Sequence, residues 1–153
     1  MLRNSMGSLF VAVLAVLGAT VSILLAPTAS AATNNPCPTY AAACVDLTNH
    51  RAWLQSGGTT IYGPVPITSG KAGLRTPAGT FEVFWRDKYH RSTLYNDAPM
   101  PNSVFFNGDI AFHEGSLNVQ SAGCIHLSPA ASLTFFNTLR VGDQVYVFGA
   151  DGT

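Results

Sequence analysis

The chain has 153 residues, with eight Lys+Arg against eight Asp+Glu, and only 10% of its residues are charged. No basic cluster is present, which argues against nucleic acid as a partner, because phosphate recognition rests on grouped Lys and Arg. The length beyond the N-terminal apolar run suits one ordinary domain that can bury a core without metal or many disulfides.

The first 31 residues read as a secretory signal peptide. Arg3 is a lone positive charge, Leu9 to Leu25 is a run rich in Val, Leu and Ala, and Ala29-Ser30-Ala31 is a small-x-small cleavage site. The run approaches spanning length, so the alternative is an uncleaved N-terminal anchor, the one route by which this chain would meet a membrane. In both cases the remainder lies outside the cytoplasm. Residues 32–43, with Pro, Asn and Thr, read as an extended leader, and 44–153 as the folded domain.

Three cysteines in an exported chain invite pairing arithmetic. Cys37 and Cys44 lie seven apart where a loose end would gain from a staple, and Cys124 is then left over as a reactive thiol. The alternative pairs Cys124 with one of the others and leaves no nucleophile.

From Cys44 the pattern is one of short strands. Val45-Asp46-Leu47 alternates, Arg51 to Gln55 follows, and Gly57-Gly58 marks a turn. Thr59 to Thr68 is β-branched and aromatic but holds Pro64 and Pro66, which predicts an edge or bulged strand. Thr80 to Trp85 alternates polar with apolar residues and predicts one strand. Ser103 to Phe106 and Asp109 to Phe112 predict a hairpin through Asn107-Gly108. Ser128 is a good N-cap with Pro129 in the first helical position, and Leu133, Phe136 and Leu139 mark one face of a helix ending near Arg140 and Gly142. Gln144 to Phe148 is a final strand. Many short strands with one C-terminal helix predict a mostly β domain, a small sandwich or barrel.

The chemistry concentrates between His113 and Ser121-Ala122-Gly123-Cys124-Ile125-His126. A thiol is a strong nucleophile at neutral pH only when a neighbour favours its ionised form, and imidazole is the usual neighbour, so the pair reads as a Cys124 thiolate with His113 as its base. Gly123 removes a side chain beside the sulfur, so that a carbonyl can approach and backbone N–H groups can meet its oxygen. Were Asp109–Phe112 and Ala122–Leu127 neighbouring antiparallel strands, His113 would reach Cys124 across them, at about 5 Å. Alternation would put Cys124 and His126 on a cleft face and Ile125 and Leu127 on the core face. Trp85, Tyr89 and Tyr95 are candidates for lining a groove or filling the core, while His50 and His90 read as surface residues. The His113, Glu114, Cys124 and His126 set contains zinc-ligand types, but its spacing matches no common zinc site, and no metal or organic cofactor is implied.

The Ser121–His126 stretch resembles the active-site motif of the L,D-transpeptidase catalytic domain family (YkuD-like): a His on one strand, then Ser or Thr, a variable residue, Gly, Cys, an aliphatic residue, and usually Arg or Asn. A second block agrees. Ile67-Thr68-Ser69-Gly70, followed by Arg75-Thr76-Pro77-Ala78-Gly79-Thr80-Phe81, is similar to the family's strand-end Ser-Gly and its Thr-Pro-x-Gly-x-Phe turn. The similarity covers roughly Cys44 to Gly149. It implies a peptidoglycan enzyme of the cell wall or periplasm, acting on stem peptides. Cys124 matches the nucleophile, His113 the general base and acid, Gly123 and Cys124 lie where backbone N–H groups would form the oxyanion hole, and Ser121 matches a site-shaping hydrogen-bonder. His126 stands where Arg or Asn is common and is placed for substrate contact. Ala122 replaces a frequent His, Glu114 a frequent Gly or Ser, and the interval from His113 to Cys124 is short. Carboxypeptidase trimming with water as acceptor, and a wall-binding module that kept the fold without turnover, are the alternatives to cross-linking. Papain-like peptidases place Cys before His, and sortases need a longer His-to-Cys separation and a downstream Arg, so neither fits.

Overall fold

The computed structural model describes residues 35–150, and the segment read as a signal peptide lies outside the described residues. The elements run β1 (Ala41–Asp46), β2 (Arg51–Ser56), β3 (Thr59–Pro66), β4 (Gly79–Glu82), β5 (Trp85–Arg91), β6 (Pro99–Asn107), β7 (Ile110–Glu114), β8 (Ile125–Leu127), α1 (Pro129–Thr138) and β9 (Gln144–Phe148). They build a five-stranded sheet in the order β3-β2-β1-β9-β4 and a four-stranded sheet in the order β5-β6-β7-β8. The mostly β class with a single helix matches the expectation from sequence.

One core lies between the two sheets. Val45, Leu54, Val145 and Val147 enter it from the first sheet, Val104, Phe106, Phe112, Ile125 and Leu127 from the second, and Phe135 and Leu139 from the helical segment. Alternation explains the selection, since every second residue of a strand faces the same side. Each fully buried side chain of this size contributes about 1.5–3 kcal/mol of apolar burial. The outer side of the first sheet carries a smaller cluster of Cys37, Ala41, Cys44 and Trp53, closed by a Cys37–Cys44 disulfide with Cα atoms 6.1 Å apart. Strand β1 begins at Ala41, so the last three residues of the expected leader already belong to the sheet. Among the described residues no helix is long and apolar enough to cross a membrane.

Three sequence expectations change. Thr80 to Trp85 is not one strand: the chain leaves the first sheet after Glu82 and joins the second at Trp85. Val83 is buried at this crossing, and its N–H donates to the Asp143 carbonyl while the Phe84 N–H donates to the Phe105 carbonyl. The alternation continues through a change of sheet, which periodicity alone does not register. Helix α1 turns a different face inward. Ser128 caps it as expected, accepting from the Ala131 N–H, but the inward residues are Ala131, Phe135 and Leu139, while Leu133 is exposed. Finally, β7 and β8 are parallel, pairing Phe112 with Ile125, His113 with His126 and Glu114 with Leu127. Residues 115–124 therefore form a crossover back to the start of β8, not the turn of a hairpin.

Candidate active site

Parallel pairing sets His113 and His126 side by side, on the sheet face opposite Phe112, Ile125 and Leu127. Their rings meet edge to face, with centroids 4.9 Å apart and planes at 74°. Cys124, just ahead of β8, packs on the same side against Met100, Phe105 and Ala111. This face floors a cavity of about 800 Å³ whose walls include Lys71, Tyr95, Asp109, His113, Cys124 and His126. The structure thus brings together His113, Ser121, Cys124 and His126 in one cavity. Cys37 and Cys44 lie apart, in the cluster on the other sheet.

The two sequence blocks build this site jointly. The Ser121 N–H donates to the Ser69 carbonyl at 2.9 Å, and the Lys71 N–H to the Ser121 carbonyl at 3.0 Å. The His126 N–H donates to the Thr68 carbonyl at 2.9 Å, and the Thr68 N–H returns to the His126 carbonyl at 3.3 Å. The Thr76 hydroxyl accepts from the Gly70 N–H at 3.0 Å and donates to the Gly123 carbonyl at 2.7 Å. Sequence reasoning assigned Thr76 to a turn. Its buried hydroxyl in fact locks the peptide that precedes the cysteine. Because a trans peptide points its C=O and N–H in opposite directions, fixing the Gly123 carbonyl also fixes the direction of the Cys124 N–H.

Ser121 and Gly123 set the local backbone. The Ser121 hydroxyl donates to the Cys124 carbonyl at 2.6 Å and accepts from the Gly123 N–H at 2.9 Å. That bond commits the Gly123 N–H, so of the two backbone donors expected to meet an oxyanion here, Gly123 is engaged within the turn and Cys124 is the candidate. The role of Gly123 is conformational: its φ of +124° is a backbone state that other residues rarely adopt.

His113 is buried, and its Nδ1 lies 2.7 Å from the Glu114 carbonyl. A carbonyl only accepts, so Nδ1 carries the proton and Nε2 is the basic nitrogen. The orienting group is backbone, which is why a Glu can stand where the motif commonly has a small residue. Burial, then the neighbouring His126, push the His113 pKa down to about 4 against the raising effect of the Glu114 bond. Burial pushes the Cys124 thiol up, with the Ala111 backbone opposing and the Asp109 charge adding to it. The thiol's hydrogen bond runs to the Asp109 carbonyl at 3.5 Å. Both groups therefore rest neutral near pH 7, which corrects the thiolate expected from the sequence: burial disfavours both charged forms, and the arrangement suits proton transfer between neutral groups rather than a preformed thiolate–imidazolium pair.

Other cavity groups were less legible. His90, which read as a surface residue, lines the cavity, with its Nδ1 3.3 Å from the Asp87 carboxylate and its ring edge-on to Phe105. Tyr95 lines the cavity, whereas Trp85 stacks on Phe105 at 4.7 Å and Tyr89 is exposed. Gly115 went unnoticed in the sequence, yet a Cβ there would sit 2.5 Å from the His126 ring. Among the described residues no group of three or more His, Cys, Asp or Glu is placed to hold a metal ion.

The sequence profile of the L,D-transpeptidase catalytic domain (YkuD) matches residues 41–147. No curated protein matches the chain by sequence. Among solved structures, an L,D-transpeptidase from Stackebrandtia nassauensis is 31% identical with a TM-score of 0.68, covering 71% of this chain and 55% of its own. One from Mycobacterium smegmatis is 21% identical with a TM-score of 0.64, covering 70% and 58%. An L,D-transpeptidase solved in complex with imipenem is 20% identical with a TM-score of 0.63, covering 69% and 57%. The chain thus spans little more than half the length of these structures. The last two, at their identity, speak to the fold alone. The profile covers more than half of the chain, in the two blocks that hold Cys124 in place and the strands that carry them, and the chain belongs to the L,D-transpeptidase catalytic domain family.

Proposed function

We propose that this chain is an exported L,D-transpeptidase acting on peptidoglycan stem peptides through a Cys124 thioester. The observation that carries the reading is the convergence of Cys124 and an Nδ1-anchored His113 on one cavity, with the backbone around the sulfur fixed by Ser121 and Thr76.

In the first half-reaction the Cys124 Sγ attacks the carbonyl that precedes the terminal D-alanine of a tetrapeptide stem, and the thiol proton passes to His113 Nε2. The developing oxyanion meets the Cys124 N–H. Collapse breaks the C–N bond, and His113 returns its proton to the departing amine of D-alanine. In the second half-reaction an acceptor amine attacks the thioester carbonyl, His113 takes a proton from that amine, the C–S bond breaks, and the thiolate recovers the proton from His113. Two acyl transfers of low barrier replace one that is difficult. Water in place of the amine gives carboxypeptidase trimming from the same intermediate.

The test is mass spectrometry of the folded, exported form incubated with a disaccharide tetrapeptide, beside Cys124→Ala. Loss of D-alanine with a dimeric product is expected only with Cys124 present, and imipenem should leave one adduct on Cys124. A trimmed product without dimer would make the enzyme a carboxypeptidase. Neither product nor adduct from a folded chain with free Cys124 would overturn the proposal in favour of a wall-binding module.

A further inference from the structure

We infer that His126 is a positioning residue for His113, fixing the plane of the basic imidazole from the neighbouring strand. The inference rests on His113 being the base proposed above.

Four observations converge on the His126 ring. It packs edge to face on His113. Its Nδ1 lies 3.1 Å from the Ser116 carbonyl and 3.1 Å from the Thr68 hydroxyl. Thr68 Oγ1 in turn donates to the Ser116 carbonyl at 2.7 Å and lies 3.2 Å from that of Val119. Gly115, whose N–H donates to the Leu127 carbonyl, passes so close to the ring that no other residue fits without displacing it. The Ser116 carbonyl can only accept, so His126, like His113, carries its proton on Nδ1. Both imidazoles are thereby hung from carbonyls of the same short stretch, Glu114 and Ser116, and each limits the rotation of the other.

An imidazole with Nδ1 committed and packed edge to face with a second ring is poorly placed to anchor a substrate carboxylate. It is well placed to hold its neighbour. Held edge-on, the His113 ring has one ring-flip state in which Nδ1 meets the Glu114 carbonyl, which keeps Nε2 as the base through both half-reactions. Small geometric losses at a general base cost rate steeply. The titratable and charged groups around the pair are Lys71, His90 with Asp87, Asp109, Glu114 and Cys124.

The experiment compares wild type with Thr68→Val, His126→Leu and the double variant, reading steady-state kinetics across pH and the imidazole titrations of ¹⁵N-histidine-labelled protein. Thr68→Val is the mild variant that keeps the fold if His126→Leu does not. Expected are a fall in kcat of about tenfold or more with KM changed less than about twofold, a double variant no worse than the worse single, and an upward move of the His113 titration in His126→Leu. A rise in KM with unchanged kcat would make His126 a substrate contact and overturn the inference. So would an unmoved His113 titration together with unchanged kcat. The titration needs no turnover, so an inactive wild type whose His113 still shifts would sink the proposed function, whereas an active wild type with kcat and the His113 titration unmoved in the variants would sink the inference alone.

Discussion

Along β7 and the segment leading through β8, Phe112, Ile125 and Leu127 point into the core, while His113, Cys124 and His126 point into the cavity. The same backbone serves two kinds of stabilisation. The inward residues are fully buried and packed against several neighbours at once, Phe112 against both Phe106 at 4.9 Å and Phe135 at 5.1 Å. The outward residues are oriented by a few directional bonds, to the Glu114 and Ser116 carbonyls, the Thr68 hydroxyl and the Ser121 hydroxyl. Packing is collective and tolerant of shape-conserving change, whereas a hydrogen bond has one geometry. The inner face should therefore govern stability and the outer face activity, and substitutions can test that division.

The largest stability effect belongs to the inner face. Phe112→Ala opens a cavity between Phe106 and Phe135 and should cost about 3–5 kcal/mol, seen as a fall in the denaturant midpoint. Phe112→Leu should retain most of the stability and nearly all turnover, although residue 112 adjoins His113. If Phe112→Leu abolished turnover in a protein of near-native stability, the two faces would be coupled and the division wrong.

The inner face was also the more legible in the sequence. Alternation picked out Ile125 and Leu127 for the core, and Asn107-Gly108 marked the β6–β7 hairpin to within one residue, its turn falling at Gly108-Asp109, because burial and turn chemistry are written locally. The parallel partner of β7 was not legible, since β8 has only three residues and ten residues separate it from β7. Helix α1 was misread in phase because its inward residues include Ala131 and the buried polar Ser132, which hydrophobicity does not single out. On the outer face His113, Ser121 and Cys124 stood out by residue type and motif. Thr68 and Thr76 stood in the second block without their roles being legible, and Gly115 did not stand out at all, because a bond across 47 or 48 positions, or a glycine that clears a ring, leaves no local mark in the sequence.

The outer face also holds groups whose burial matters to stability, His113 foremost. His113 titrates at about 4 in the folded chain against the ordinary 6.5, so the unfolded chain takes up a proton first on acidification. The folded-state pKa is depressed, and stability from the neutral form is complete above about pH 6.5 and lost as pH falls towards 4. The gap corresponds to roughly 3 kcal/mol. His126, also shifted down by burial, acts in the same direction. Urea unfolding between pH 7 and pH 4 should show wild type losing more stability than His113→Gln. Parallel curves for the two proteins would mean that His113 is solvated in the folded state.

The finest test of the division is Thr76→Val, which keeps volume and removes only the hydroxyl joining the two sequence blocks. The Gly70 N–H and the Gly123 carbonyl each lose a partner at a buried position, at a cost of about 1–3 kcal/mol for each group that finds no replacement. Where one of them regains a partner the loss stays below that of Phe112→Ala, and the domain should remain folded at room temperature. The kinetic consequence should be out of proportion, because the released peptide carries the Cys124 N–H on its other side. A drop in kcat of about tenfold or more, with KM little altered, would place the effect in the oxyanion-facing backbone, where one donor contributes about 10²–10³ in rate when lost outright. A kcat that stayed level while stability fell would show that Ser121 alone holds the Gly123–Cys124 peptide, and that the Thr76 bond is structural in the same sense as the packing on the inner face.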